Sequence, residues 1–309
     1  MAADDGTVNA TLGRHAGEGG RTLDHLRGIV NEPFKVVVWA YYAWRFVVAR
    51  VVRGESGTVY FVPDQPLIVY SIWKICRELG LRITSDDTAD CVAAVSWDDA
   101  TFNRYRPARP PCASGRLINE RCVDISKTKV EDASLATFGY GLAIDPRSFV
   151  GPYVRKSDEN ALHDGIVIES ARDPEPGIVY QRLVNTVAGD ERVLDLRVPI
   201  MGRRIPLVYL RHRDVKERFT QLHDCVEVCP TDRVLTDQEV ATLLAFCAAI
   251  GLDFGELDVL RDCDDGRLHV VDANKTPAGP PKHIRWWDGV RAIGILARAF
   301  DEEFLAGRG

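Results

Sequence analysis

The stretch that decides the fold is residues 255–280, GELDVLRDCDDGRLHVVDANKTPAGP. Two apolar segments flank CDDG, and each carries acids at positions where a buried strand usually has Val or Leu. CDDGR is typical of a hairpin with the three-residue loop Asp264, Asp265 and Gly266, in which Gly takes the left-handed backbone conformation. We therefore predict a β-hairpin with polar side chains on one face.

The register of this hairpin determines which polar side chains meet. With a three-residue loop, Cys263 faces Arg267. Counting back places Asp258 opposite Asp272, with Asn274 one step further on the same face. Facing carboxylates repel each other, so two ionised acids here indicate a cation between them. A hard divalent cation such as Mg²⁺ prefers such oxygen ligands.

Two other interpretations of the hairpin are simpler. One-sided antiparallel sheets commonly carry polar residues on their wet face, so the acids can form a solvated surface. An EF-hand is the second, because Asp262 and Asp264 have its spacing. It is excluded, since Gly stands at the wrong loop position and the loop has no terminal Glu.

The composition is that of a globular protein. The 309 residues are 46% hydrophobic and 27% charged, which is enough chain for a sizeable core. The net charge of −6 argues against a nucleic-acid partner, although a local basic run lies at 104–110. Eight cysteines without a C-x-x-C pair, and an acidic start that is no signal peptide, favour a reducing, cytoplasmic location.

An apolar aromatic segment, FKVVVWAYYAWRFVVARVV, occupies residues 34–52. A membrane-spanning helix needs about 20 apolar residues. Arg45 in mid-run opposes insertion by about 3 kcal/mol, so spanning is disfavoured. We interpret the segment as a helix docked on its own domain. A membrane surface, a partner protein or a second copy of the chain in a homodimer are the alternatives.

Residues 55–115 have the pattern of a small parallel α/β domain that follows an N-terminal extension at 1–54. TVYFV and CVAAVSW are β-rich, and residues 67–79 between them have helical apolar spacing, with Gly80 as the C-cap. Strand–helix–strand order predicts a parallel sheet. The run RPARPPCASG that follows is typical of a linker.

After this linker the pattern changes to short strands at close intervals. An amphipathic helix then covers 235–252, with Thr236 or Asp237 as N-cap and Gly251 as C-cap. The hairpin and a C-terminal helix over 287–305 complete the chain. The short strands are predicted at 153–170 (two strands around a polar loop), 177–184, 193–200 and 204–213.

The arrangement D-V-L followed by D-G-R-L-H-V-V-D-A-N-K-T-P resembles the metal-binding end of the ATP-grasp superfamily. In that family an acid on one strand and an acid-x-Asn on the next hold the magnesium ions of ATP. Asp258, Asp272 and Asn274 fall on these positions, with Asp in place of the commoner Glu at 272.

The resemblance covers roughly residues 55–300. It implies the ATP-grasp fold, which combines an α/β domain with α+β subdomains. A small parallel pre-ATP-grasp domain at 55–115 precedes two α+β subdomains that grip ATP. The smaller of these is expected at 116–186. The metal-binding one is expected at 187–309.

The stretch that begins VYQRLVNTVAGDERVLDLRVPI is similar to one in ATP-grasp peptide ligases, where a Gln and an apolar hinge precede a D-x-R strand and a basic strand. By this likeness residues 180–183 form the adenine hinge, with Gln181 and Leu183 as cofactor-binding residues. Asn185 is the candidate ribose contact.

The same likeness assigns catalytic roles to three arginines. Arg197 of D-L-R is expected to contact phosphate or acyl phosphate. Arg211 and Arg213 on the basic strand are further candidates. The transition state of phosphoryl transfer needs such charge neutralisation.

Two lysines resemble the ATP lysines of the family. Lys127 in DISKTKV corresponds to the first, with Lys129 as the alternative. Lys156 in YVRKS corresponds to the lysine on the strand before the flexible phosphate loop. A lysine beside a strand is more often merely solvated, so these assignments depend on the rest of the resemblance.

The loop after Lys156 departs from the family pattern. It is SDENALHDG, with one Gly, whereas a backbone that cradles phosphate needs the close approach that Gly permits. Ser157, Asn160 and His163 offer side-chain donors instead. Alternatively this loop recognises the acceptor, with Asp164 or His163 orienting it.

The likeness implies an enzyme that uses ATP and Mg²⁺ to join a small-molecule carboxylate to an amine through an acyl phosphate. Magnesium and the basic side chains neutralise charge, so no protein nucleophile is needed. Two alternatives stay open, because a fold alone does not determine function. One is a kinase of the same fold that phosphorylates a hydroxyl, and the other is a non-catalytic nucleotide-binding module.

Overall fold

The computed structural model describes residues 33–54, 57–103, 117–162, 164–188, 192–215 and 225–305. Most of the predicted N-terminal extension and most of the predicted linker lie outside these residues, as does His163. The helices are α1 (Pro33–Arg53), α2 (Ser71–Glu78), α3 (Lys127–Phe138), α4 (Asp237–Ile250) and α5 (Trp286–Phe300), the last continuing as a π-helical turn, Asp301–Leu305. The strands are β1 (Thr58–Pro63), β2 (Arg82–Thr84), β3 (Ala93–Trp97), β4 (Leu117–Ile118), β5 (Tyr153–Ser157), β6 (Ile166–Ile168), β7 (Ile178–Arg182), β8 (Val187–Ala188), β9 (Arg192–Met201), β10 (Val208–Asp214), β11 (Cys225–Cys229), β12 (Phe254–Arg261) and β13 (Leu268–Asn274).

The first sheet is parallel, in the order β2-β1-β3-β4, which confirms the predicted parallel α/β arrangement. Helix α2 begins at Ser71, so the helix predicted from residue 67 starts too early. Residues 67–70 form a turn instead, in which the Tyr70 N–H donates to Leu67 O at 3.0 Å. The Ser71 N–H then donates to Pro277 O at 3.0 Å, a contact between distant segments that periodicity cannot reveal.

The second sheet is antiparallel, in the order β11-β10-β9-β12-β13, with β8 paired to β9. One face packs against α3 and α4 in a core that includes Leu196, Val198 and Leu257. Side chains alternate along a strand, so Asp195, Arg197 and other polar residues lie on the opposite face. Helix α4 has the predicted caps: Thr236 forms a capping box with Glu239, and Gly251 ends the helix at φ +74°.

The hairpin of β12 and β13 was predicted with the correct facing pair but the wrong loop. Asp262, not Cys263, faces Arg267, because the Asp262 N–H donates to Arg267 O at 2.9 Å. The loop is therefore one residue longer than predicted, with Gly266 left-handed at φ +75° as expected. A register shift next to Asp258 offsets the difference, so Asp258 still pairs with Asp272.

A third, antiparallel sheet has the order β6-β5-β7. It lies over the end of the second sheet, since Lys156 Nζ on β5 donates to Val271 O on β13 at 3.2 Å. The second and third sheets line the cavity described below.

Helix α1 docks on the parallel domain through one face, as interpreted from the sequence. Tyr42 is buried against Trp73, with ring centroids 6.4 Å apart, and Arg45 Nε donates to Glu78 at 3.0 Å. Its other face exposes apolar side chains, including Trp39 and Val51. Among the described residues, no helix has the length and hydropathy needed to cross a bilayer.

Candidate functional site

A cavity of about 700 Å³ lies between the second and third sheets, and α1 and the turn before α2 line one end of it. All the site residues predicted from the sequence except Asn185 line it. They come from seven different elements, with Leu183 counted with β7, so the fold brings together residues that are as much as 147 positions apart (127 to 274). They are Lys127, Lys156, Gln181, Leu183, Arg197, Arg211, Arg213, Asp258, Asp272 and Asn274.

Asp258 is paired with two arginines at the cavity wall. Its Oδ1 atom accepts from Arg197 Nε at 3.1 Å and lies 3.1 Å from Arg211 Nη2. Burial alone would raise the pKa of this carboxyl, but the two guanidinium groups outweigh burial and hold its pKa well below the usual range. Asp258 is therefore ionised at neutral pH.

Asp272 faces Asp258 across the hairpin and is less well compensated. Its Oδ1 atom lies 3.4 Å from Lys127 Nζ. Burial raises its pKa above the ordinary value, and the negative charge of Asp258 raises it further, while Lys127 opposes both. Additional positive charge between the two acids would stabilise both ionised forms.

The donor atoms at this point fit a hard divalent cation. Asp258 and Asp272 offer carboxylate oxygens, and each holds its protein partners through Oδ1, which does not exhaust the capacity of a carboxylate. Asn274 Oδ1 accepts from the Thr276 N–H at 2.8 Å, a contact that fixes the orientation of the amide. These three side chains would hold Mg²⁺, which prefers such oxygen ligands and shares phosphate oxygens.

The arginines form a ladder across β9 and β10 on the same face. Arg211 Nη2 lies 3.8 Å from Asp195 Oδ2, and Arg213 donates to the same oxygen. Arg211 Nε makes no hydrogen bond within the described part of the chain. The ladder thus offers buried N–H donors at the cavity wall, which is what an oxyanion requires.

Asp195 is the residue that sequence reasoning missed. It is 8% exposed, lines the cavity and pairs with both Arg211 and Arg213. The signal was available, because Asp195 precedes Arg197 by two positions and side chains two apart share a strand face. It was treated only as part of the D-L-R motif.

The two lysines both reach strand β13, Lys127 at Asp272 and Lys156 at Val271. Lys127 opens α3, which Ser126 caps, and its Nζ donates to Glu159 O at 3.3 Å and to Asn160 Oδ1. Lys156 Nζ donates only to a backbone carbonyl, and burial lowers its pKa to about 8. Both ammonium groups lie within reach of a ligand that spans β5 and β13.

The loop after β5 is tied down by its own polar side chains. The Asn160 amide donates to Ala273 O at 3.0 Å, besides accepting from Lys127. Asp164 Oδ1 accepts from the Ser157 N–H at 3.1 Å. These contacts hold the loop against β13 without the glycines that the family pattern uses. The role of His163 stays a prediction, since it lies outside the described residues.

The predicted hinge is mostly strand β7. The backbone N–H of Ile144 donates to Tyr180 O at 3.0 Å, and Gln181 Nε2 donates to Glu131 at 3.3 Å. Leu183, just past the strand, is at the cavity wall. Asn185 turns away and donates to Asp264 Oδ1 in the hairpin loop at 2.8 Å, so the structure does not place it beside the other predicted residues.

A second group of acceptors lies at the base of the hairpin loop. Ligand atoms of Asp262, Asp265 and His269 lie within 4.8 Å of one another. Arg182 already occupies this position, 2.8 Å from Asp262 Oδ2 and 2.8 Å from His269 Nε2. Burial, reinforced by Arg182, lowers the pKa of His269 to about 4. A guanidinium thus already compensates this group.

No protein-family model matches the chain, and no curated protein sequence matches it significantly. Solved structures do match. The ATP-grasp ligase PsnB, complexed with minimal precursor, Mg and ADP, superposes at a TM-score of 0.51 with 13% identity, over 81% of this chain and 97% of that one. PsnB with minimal precursor alone gives 0.50 and 14%, over 80% and 99%. An ATP-grasp RimK domain protein of Sphaerobacter thermophilus gives 0.49 and 12%, over 81% and 100%.

The chain therefore has the ATP-grasp fold, as the hairpin motif predicted. At this level of identity the likeness establishes the fold alone. The chemistry has to be argued from the side chains that line the cavity.

Proposed function

We propose that the chain is an ATP- and Mg²⁺-dependent ligase that joins a carboxylate to an amine through an acyl phosphate. The observation that carries this proposal is the facing pair Asp258 and Asp272, flanked by Arg197 and Arg211 at 3.1 Å from Asp258. The arrangement combines a donor set for a divalent cation with fixed cations for a phosphoryl group.

Each group has a role that its surroundings support. Asp258, Asp272 and Asn274 would hold Mg²⁺, which when bound neutralises phosphate charge. Lys127 and Lys156 contact phosphate oxygens from the wall opposite β9.

The remaining roles fall to the arginines and the hinge. Arg197 and Arg211, with Arg213 behind them, stabilise the charge that develops as the carboxylate attacks. Burial makes such fixed donors more effective than they would be in water. Gln181 and Leu183 belong to the adenine side of the cavity, whereas the ribose role of Asn185 requires the side chain to leave Asp264.

A ligase is favoured over a kinase or a silent nucleotide-binding module for two reasons. The solved structures that match at a TM-score of 0.50 or more are described as an ATP-grasp ligase, PsnB, in one case with Mg and ADP. In this chain all the expected cations and acids line one cavity. PsnB is described with a precursor, so a carboxylate or amine carried on a peptide belongs to the candidate substrates. The cytoplasmic location stays a prediction, and the described cysteines, all free, agree with it.

Thermal unfolding with and without Mg-ATP tests the nucleotide and metal site. A ligand at a hundred times its Kd adds about 2.7 kcal/mol of stability. We expect a magnesium-dependent shift in the wild type that disappears in the double variant Asp272→Asn, Asn274→Ala. Asp265→Asn in the hairpin loop is the matched control and should keep the shift. Absence of any shift in the wild type would contradict the proposal.

Product analysis separates the three functions. A ligase releases ADP and, with hydroxylamine present, yields a hydroxamate from its acyl phosphate. A kinase yields a stable phosphorylated alcohol and no hydroxamate. Nucleotide binding without ADP release across carboxylates, amines and alcohols would identify the silent module.

A further inference from the structure

The cavity extends beyond the metal site into a region with different walls. This region, the apolar lobe, lies between α1, the turn before α2, the segment after β13 and the start of α5. Aromatic contacts join its walls, since the rings of Tyr41 and Trp286 are 5.4 Å apart. The apolar lobe is lined by Val38, Tyr42, Ile68, Pro280, Ile284 and Trp286.

One buried cation borders the apolar lobe. Lys74 on α2 is 7% exposed and lines the cavity. Its Nζ donates to Val69 O at 3.2 Å and to Gly279 O. Both acceptors are neutral carbonyls that also line the cavity, and an ammonium has three N–H donors. One donor therefore stays available to a ligand.

The surroundings of Lys74 differ from those of Arg197, Arg211 and Lys127. Arg197 and Arg211 each lie 3.1 Å from Asp258, and Lys127 lies 3.4 Å from Asp272. Within the described residues no carboxylate lies within salt-bridge distance of Lys74. Burial without a counter-charge lowers its pKa to about 7. A buried charge without a partner is unfavourable, so an anion that enters beside it is stabilised.

We propose that the apolar lobe binds an organic acid with an aromatic or branched apolar body, and that Lys74 donates to the carboxylate of this acid. Trp286, which is partly exposed, presents a flat surface on which an aromatic body packs. The further statement that this acid is the carboxylate substrate rests on the proposed ligase function. Binding of the acid does not rest on it.

The test uses the full chain and two matched probes, 3-phenylpropionate and its uncharged amide, 3-phenylpropionamide. Affinities are measured by titration calorimetry without nucleotide. We expect the acid to bind about tenfold more tightly than the amide, equivalent to about 1.4 kcal/mol. Lys74→Met should abolish that preference while leaving the affinity for the amide unchanged. Lys74→Arg keeps the charge and should retain part of the preference.

Lys282→Met is the control, because Lys282 lines the same cavity but is exposed. It should leave the preference intact. Equal affinity for acid and amide in the wild type, binding of neither at millimolar concentration, or an unchanged preference in Lys74→Met would each overturn the proposal. A cooperative thermal unfolding transition without ligand, measured on the same variants, reports that they are folded.

The two proposals fail separately. If the wild type prefers the acid but shows no Mg-ATP shift, the proposed acid site stands and the proposed ligase function is contradicted. A wild type with the shift and hydroxamate formation, but without the preference, retains the ligase and loses the acid site.

Discussion

The two ends of the cavity handle buried charge in opposite ways. At the metal end, Arg197 and Arg211 converge on Asp258, and Lys127 meets Asp272. In the apolar lobe, the acceptors of Lys74 among the described residues are only backbone carbonyls. Charges balanced by the protein prepare a site for a ligand that brings both signs, such as Mg²⁺ with phosphate. An unbalanced cation prepares a site for a simple anion.

Breaking the balance at the metal end should have the largest effect on stability. Arg197 Nε lies 3.1 Å from Asp258 and 3.3 Å from Glu256, which is 2% exposed. Arg197→Met leaves both acids short of a cation, so we expect the free energy of unfolding to fall by about 3 kcal/mol. Urea denaturation at neutral pH measures this change.

The control for this variant is Arg204→Met. Arg204 also pairs with two acids, Glu302 and Glu303, but its side chain is 52% exposed. Exposed pairs are screened by water, so the loss should stay below about 1 kcal/mol. Similar losses in the two variants would show that the charges of the metal end are not effectively buried.

In the apolar lobe, Lys74 should instead make the free energy of unfolding depend on pH. The pKa of Lys74 is lowered to about 7, so between pH 7 and its unfolded value near 10.5 the folded state binds fewer protons than the unfolded state. Stability from this group therefore rises with pH in that window. Relative to Lys74→Met, the wild type should gain about 2 kcal/mol from pH 7 to pH 9.

Urea denaturation of both proteins at the two pH values measures this gain. Taking the difference cancels the titration of all other groups. Arg204→Met is the matched comparison, because arginine does not titrate in this range and Arg204 pairs with Glu302 and Glu303 instead of the buried Glu256. A flat difference between wild type and Lys74→Met would mean that an anion or solvent already compensates Lys74.

The residues of the metal end could be predicted from the sequence because they lie close together along the chain. Asp258 and Asp272 stand on two strands joined by a short loop, and the period of two in a strand places Asn274 on the same face. Even the mistaken loop length did not matter, since the register shift beside Asp258 offset it. The fold followed from the same motif, whereas the domain boundaries stay predictions.

The apolar lobe could not be predicted from the sequence in this way. Lys74 meets Gly279, which lies 205 residues further along the chain, and no local pattern encodes that contact. The position of the Asn185 side chain could not be predicted for a related reason, since it donates to Asp264 in the hairpin loop. Strand β11 and helix α3 were also not predicted. Short segments rich in polar residues have weak hydrophobic periodicity, and their structure depends on their neighbours.

The smallest effect on stability is expected from two glycines, one in the hairpin and one in helix α5, which differ in backbone conformation. Gly266 closes the hairpin at φ +75°, and a Cβ there would meet nothing within 4 Å. Gly294 lies in α5, the helix whose start borders the apolar lobe, and a Cβ there would also meet nothing within 4 Å. Space is therefore equal, and only the backbone conformation differs.

We expect opposite signs from the two alanine variants. Gly266→Ala should lower the free energy of unfolding by about 1 kcal/mol, since a left-handed conformation is unfavourable for an L-residue. Gly294→Ala should raise it by about 0.5 to 1 kcal/mol, because alanine favours the helix and restricts the unfolded chain. Urea denaturation of both variants measures the pair. A stabilising Gly266→Ala would mean that the hairpin loop does not hold its left-handed turn, and the register that sets Asp258 against Asp272 would lose its local cause.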